Sequence, residues 1–274
     1  MGPHDSQPGW MSEDAGRAYN FVNRTYDQKI LAKAARQAKH GYVRSLAVQK
    51  LTADKNQGVL KRIAKRDESA EVRVNAAIRL KNTKLRQSLL RELIKDESDF
   101  VRLSAAKNID DHQLAQSVLS DLAKNSEFHA YEAAELLDNQ DDKRQNYKNI
   151  ALTSPDSESR KFATKNIDDV SVLLKIAKTD EYMENRLTAI DRLVFLGENE
   201  SSQKLYTAIA MDEYEVRKYR LTAAEKITDI GKAKLAFASL LRVTKNQKFD
   251  VGGGYITKNT DDYERVRQWL DEHK

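Results

Sequence analysis

The chain has no cysteine in 274 residues, so disulfides, zinc–thiolate sites and thiol nucleophiles are excluded outright. Proline is scarce, with three residues, and hydrophobic residues at 40% against 32% charged make this a foldable, helix-leaning composition and not a disordered one. No apolar run approaches the ~20 residues needed to cross a bilayer. No Gly-x-Ser-x-Gly stretch is present and no histidine has an evident triad partner, so no catalytic residue is nominated. The five histidines, His4, His40, His112, His129 and His273, lack partners at metal-ligand spacing, and neither a metal nor any other cofactor is expected. A basic-then-apolar leader is missing as well; with the lack of cysteine, that points to a cytoplasmic location, export after leader removal being the alternative.

What the chain does contain is a repeat. Two adjacent apolar residues, two variable ones, then an apolar residue and a small one recur along it, as in Ile30-Leu31 with Ala34-Ala35, Val59-Leu60 with Ile63-Ala64, and Leu89-Leu90 with Leu93-Ile94. The anchor positions 34, 63, 93, 122, 150, 176, 209 and 240 are separated by 29, 30, 29, 28, 26, 33 and 31 residues. A second pattern follows each of the first seven anchors: Val-Arg, two variable residues, a small pair, then an apolar residue one turn on. Val72-Arg73…Ala76-Ala77…Leu80 and Val101-Arg102…Ala105-Ala106…Ile109 are clean copies, and Val216-Arg217…Ala223-Ala224…Ile227 is the last. The copy around Ala133-Ala134 lacks the arginine.

Both patterns space apolar residues three and four apart, which is one stripe on a helix. Polar clusters such as Asp67-Glu68-Ser69, Asp96-Glu97-Ser98 and Ser154-Pro155-Asp156 separate them as turns and N-caps, with Pro155 suited to a first helical position. Helices of about ten residues are marginal alone in water and persist only by stacking. The apolar-Ala-Lys…Asp…Val-Arg…Ala-Ala…Leu unit, cleanest from Ile63 to Leu80, resembles the short HEAT-like repeat also found in phycobilisome-lyase-type proteins. The resemblance spans roughly residues 26 to 245 and implies an all-α, right-handed α-solenoid of about seven to eight two-helix repeats, used as a binding platform. Residues 1–25 are expected to be a flexible lead-in, with 1–10 a tail or an expression remnant. Residues 246–274 are expected to hold a loop at Gly252-Gly253-Gly254 and a last helix, Asp261 to Glu272, that caps the stack.

The net charge of +5 is unevenly spread. Residues 24–107 hold 21 lysines and arginines against 9 acids, residues 108–215 hold 12 against 22, and residues 216–274 hold 13 against 8. A basic block invites an acidic protein or a phosphate backbone. Lys50, Arg79 and Lys107, near the ends of the second helices and off the apolar stripe, are the candidate partner-binding residues. Arg44, Arg73, Arg102, Arg160 and Arg186 form a regular ladder whose expected role is structural, each pairing with a turn aspartate of its own or an adjacent unit. Asp67, Asp96 and Asp180, six residues before Arg73, Arg102 and Arg186, supply such aspartates. The carboxylate pairs Asp110-Asp111, Asp141-Asp142 and Asp168-Asp169 read as helix stops followed by N-caps. Tyr182, Tyr214 and Tyr219 form either an aromatic patch or packing filler.

The functional expectation is a non-catalytic protein–protein interaction scaffold. The first alternative is nucleic-acid binding through the basic N-terminal repeats, resembling the cradle of HEAT-like DNA glycosylases. The second is a bilin lyase- or chaperone-like role implied by the family resemblance.

Overall fold

Polar side chains cap the N-termini of several helices of this chain. In the computed structural model, which describes residues 8–246 and 260–273, the Asp14 carboxylate accepts the Arg17 N–H at 2.9 Å and opens α1 (Ala15–Arg24). Asp27 accepts from the Lys29 and Ile30 N–H groups and opens α2 (Gln28–Gln37), which is followed by α3 (Gly41–Lys50), α4 (Gln57–Arg66) and α5 (Ala70–Ala77). Asn82 caps α6 (Thr83–Leu93); α7 (Asp99–Ala106) follows, and Asp111 caps α8 (His112–Asn125). Next come α9 (Ala130–Glu135) and α10 (Gln140–Thr153). Asp156 opens α11 (Ser157–Thr164) and Asp169 opens α12 (Val170–Thr179). The chain ends in α13 (Met183–Phe195), α14 (Asn199–Met211), α15 (Arg217–Ala224), α16 (Ile230–Asn246) and α17 (Thr260–Glu272). Each such cap satisfies an otherwise orphaned N–H and contributes about 1 kcal/mol.

Two of the expected caps are corrected. Pro155 does not start a helix: Asp156 accepts the Ser159 N–H at 2.8 Å, so α11 begins two residues after the proline. Asp111 and Asp169 are N-caps, but Asp141 and Asp142 lie inside the first turn of α10, where Asn139 accepts both their N–H groups.

The described residues are all helical, without a strand, and the chain divides into two compact units, residues 1–146 and 147–274. Within the first, α2 packs on α3, α4 on α5, α6 on α7 and α8 on α9, while α1, α3, α5 and α7 also contact one another in succession. Within the second, α12 packs on α13, α14 on α15 and α16 on α17, and α13 contacts both α11 and α15. The small pairs make this close approach feasible: Ala76-Ala77, Ala105-Ala106, Ala133-Ala134 and Ala223-Ala224 are all buried, beside fully covered Leu60, Leu90 and Leu122.

The described residues nearest both ends carry packed structure. Residues 9–24, expected to be flexible, instead form a short 3₁₀ turn at Gly9–Met11 and α1, with Trp10, Ala18 and Val22 buried. Their apolar spacing covers the open flank of α3, and a Cβ at Gly9 would collide with the Phe21 ring. At the other end, α17 sets Trp269 against Phe237 of α16, ring centroids 4.3 Å apart, and buries Val266 completely. The Gly252-Gly253-Gly254 stretch lies outside the described residues.

Candidate interaction surfaces

The ladder arginines are held in place by the fold. Arg44, 5% exposed, donates from Nε and Nη2 to the two carboxylate oxygens of Asp67, both at 2.9 Å, and from Nη1 to the Ala38 carbonyl. Arg160 repeats the arrangement with Asp180, at 2.9 and 3.2 Å, and with the Ser154 carbonyl. In both cases the carboxylate belongs to the turn of the following unit, and the arginine's own turn supplies the carbonyl. The Asp67 hydrogen bond raises the Arg44 pKa, and that from Asp180 raises Arg160. Burial pushes the Asp180 carboxyl up, yet Arg160 and the Tyr182 N–H outweigh it and hold that carboxyl below its usual range.

The remaining rungs differ. Arg73 donates to the Asp67 and Glu68 carbonyls of its own turn and reaches Asp96 only at 3.8 Å. Arg102 turns to Asp99 and Asp121. Arg186 donates to the Ala177 carbonyl, and among the described residues no carboxylate pairs with it. In the last copy the buried rung is Arg220, 2% exposed and bonded to the Ala210 carbonyl and Ser239 Oγ, and not Arg217. Desolvation lowers the Arg220 pKa. The missed signal was a spacing: each ladder arginine stands three residues before a buried alanine, as Arg220 does before Ala223.

A second ladder was not foreseen. Gln57 donates its amide N–H to the Arg79 carbonyl at 3.1 Å and accepts the Lys81 N–H at 2.8 Å, clamping the start of a first helix to the end of the second helix of the same unit. Gln28, Gln87, Gln116 and Gln203 make the same two-bond clamp, on residues 50 and 52, 108 and 110, 136 and 138, and 226 and 228. All five stand six residues before an anchor, a periodicity present in the sequence but carried by one polar residue per repeat. Gln57→Ala strands a carbonyl and an N–H at once and is expected to cost about 1–3 kcal/mol of stability in chemical denaturation, whereas Gln57→Glu keeps only the acceptor.

Lys50, Arg79 and Lys107 are likewise engaged within the molecule. Lys50 bonds the Asn23 carbonyl and lies 4.7 Å from the Tyr26 ring centroid, Arg79 donates to the Leu51 carbonyl at 2.5 Å, and Lys107 pairs with Glu132 at 2.7 Å. Lys50 and Arg79 thereby serve carbonyls at the ends of the preceding helices, which suits a cation at a helix C-terminus. Tyr182, Tyr214 and Tyr219 are not joined by ring contacts: Tyr182 lies beside the Arg160 guanidinium, the Tyr219 hydroxyl donates to Glu184, and Tyr214 is fully exposed.

Two sets of side chains remain available at the surface, and they lie on different helices. Unpartnered cations cluster on the first helices of the first unit: Lys29 and Lys33 on α2, Lys61, Arg62, Lys65 and Arg66 on α4, Lys84 on α6, and Lys95 just beyond it are exposed, and among the described residues their side chains make no hydrogen bond or ion pair. Exposed aromatics avoid the first helices altogether among the described residues. Three of them occupy one repeat position, two residues before the ladder slot: Tyr42, Phe100 and Phe128, at 47%, 37% and 67% exposure, with Glu71 in the second copy and Glu158, Glu184 and Lys218 in the later ones. Tyr19 of α1 extends the row, its ring 6.1 Å from that of Tyr42, and His129 sits 6.2 Å from Phe100.

No family model, no curated protein sequence and no solved structure matches this chain. The site therefore rests on its own geometry. Two grooves flank ladder residues: one of about 390 Å³ between α4 and α6, lined by Lys65, Arg73, Ser88, Glu92 and Asp96, and one of about 380 Å³ beside Arg160, lined by Ser154, Lys175 and Asp180. In each groove the ladder arginine faces a carboxylate, Arg73 with Asp96 at 3.8 Å and Arg160 with Asp180 at 2.9 Å, which neutralises that charge instead of directing it at a substrate. Among the described residues, no three His, Asp or Glu side chains converge at metal-binding distance, and no helix is long and apolar enough to cross a membrane.

Proposed function

We propose that this chain is a non-catalytic, HEAT-like solenoid whose second-helix face binds a protein partner. The contact succession α1, α3, α5, α7 in one unit and α11, α13, α15 in the other supports the stacked-repeat reading. The observation that carries the binding role is the aromatic row Tyr42, Phe100 and Phe128. These rings stay substantially exposed at equivalent positions while the apolar stripes beside them are covered. Large rigid exposed rings are what protein interfaces use as anchors.

The test is affinity capture with the intact chain and with Tyr42→Ala/Phe100→Ala/Phe128→Ala, followed by titration of the captured partner. Truncating interface anchors costs about 2 kcal/mol or more each, so binding of the triple variant should fall by at least about 30-fold while far-UV circular dichroism stays unchanged. Equal affinity of the two proteins would remove the aromatic row as the recognition surface.

A further inference from the structure

We infer that the first-helix face of the first unit is a separate binding surface for double-stranded nucleic acid, held through its phosphates; this goes beyond the protein contact proposed above and does not depend on it. The sequences of α2 and α4 contain no acidic residue, and α6 contains Glu92 alone. Lys29, Lys33, Lys61, Arg62, Lys65 and Lys84 project from these helices without a side-chain partner among the described residues. The acids that balance them in the overall charge are engaged elsewhere: Asp111, Asp156 and Asp169 cap helices, while Asp121, Glu132 and Asp180 are paired with Arg102, Lys107 and Arg160. Apart from Glu92 of α6 and Glu97 in the turn after it, the free charge on this face is therefore positive.

Size and composition select the ligand. α2 contacts α4, and α4 and α6 flank a common groove, so the three lie side by side. At about 8–10 Å between packed axes, two spacings, and roughly 15 Å of length per ten-residue helix, the cationic field measures about 15 by 16–20 Å, close to the breadth of a duplex. None of α2, α4 and α6 exposes a large apolar or aromatic side chain. The face thus lacks the wedge an amphipathic helix inserts into a bilayer, the rings on which single-stranded bases stack, and the apolar anchor of a protein hot spot. Unpaired lysines and arginines alone match a regular array of phosphates, where binding releases counterions and reads no sequence.

Fluorescence anisotropy with a short labelled random-sequence duplex tests this. Binding at ~50 mM salt should weaken steeply as salt rises, with a log–log slope near −5 if about six phosphates are neutralised. Lys61→Glu/Arg62→Glu/Lys65→Glu should lower affinity by about 100-fold or more and flatten the slope by about three. The milder Lys29→Gln/Lys33→Gln should flatten it by about two, which guards against misfolding of the triple reversal. Tyr42→Ala/Phe100→Ala/Phe128→Ala should bind duplex like the unaltered chain, so the two surfaces fail or stand separately. The proposal is overturned by absent binding at ~50 mM salt, by reversal variants that bind equally well, by loss of binding in the aromatic variant, or by tighter binding of single strands or phosphatidylserine vesicles than of duplex.

Discussion

Arg160→Ala should destabilise the second unit by about 3–5 kcal/mol, because it leaves the Asp180 carboxylate buried without its counter-charge. The two side chains are 8% and 5% exposed and joined by two hydrogen bonds, so little water can replace the lost partner. The Ser154 carbonyl loses its donor as well. The double replacement Arg160→Met/Asp180→Leu should recover most of the loss, since removing both charges removes the desolvation cost along with the attraction. Urea unfolding followed by circular dichroism measures both, and a single variant within about 1 kcal/mol of the parent would show that the pair is not a structural tie. Acid offers an independent check. The folded Asp180 pKa lies below the unfolded one, so this carboxylate stabilises fully above the unfolded value and loses its contribution as pH falls through the folded value. Stability of the parent should therefore decline more steeply below about pH 4 than that of the double variant.

Phe237→Ala should cost about 3–5 kcal/mol and release α17 from α16. Phe237 is 1% exposed, and its ring is what Trp269 rests against; His273 stacks on the other side of the indole at 4.1 Å. The chain has two tryptophans, Trp10 and Trp269, one in each compact unit. In a Trp10→Phe background, emission thus reports on α17 alone. A red shift in Phe237→Ala at constant far-UV signal is the expected result; an unchanged spectrum would mean that α17 is held by something other than this ring contact.

Much of the architecture was legible because apolar spacing is a strong signal. The anchors at 34, 63 and 93 and the alanine pairs at 76 and 105 fall on helices and are buried. Side-chain partnership was harder to read. Asp67 stands six residues before Arg73, which suggested a pair within one unit, yet its carboxylate goes to Arg44 of the unit before and only its carbonyl to Arg73. Sequence distance ranks Arg73 first; stacking brings Arg44 closer. The last copy misled for a different reason: Val216-Arg217 imitates the motif, but α15 begins at Arg217, and the longer interval before it moves the buried rung to Arg220. Lys50 and Arg79 looked free because a long basic side chain carries no mark of the backbone carbonyl it folds onto. The aromatic row went unnoticed because Tyr42, Phe100 and Phe128 share a position only after the helices are aligned on their alanines.

The double duty of Asp67 has a consequence for how this unit comes apart. Its carboxylate holds the repeat before it and its carbonyl holds its own, so neither can loosen without withdrawing support from the other. Coupling of that kind should suppress separate fraying of α3 and α5 and make the two helices melt together as one cooperative block.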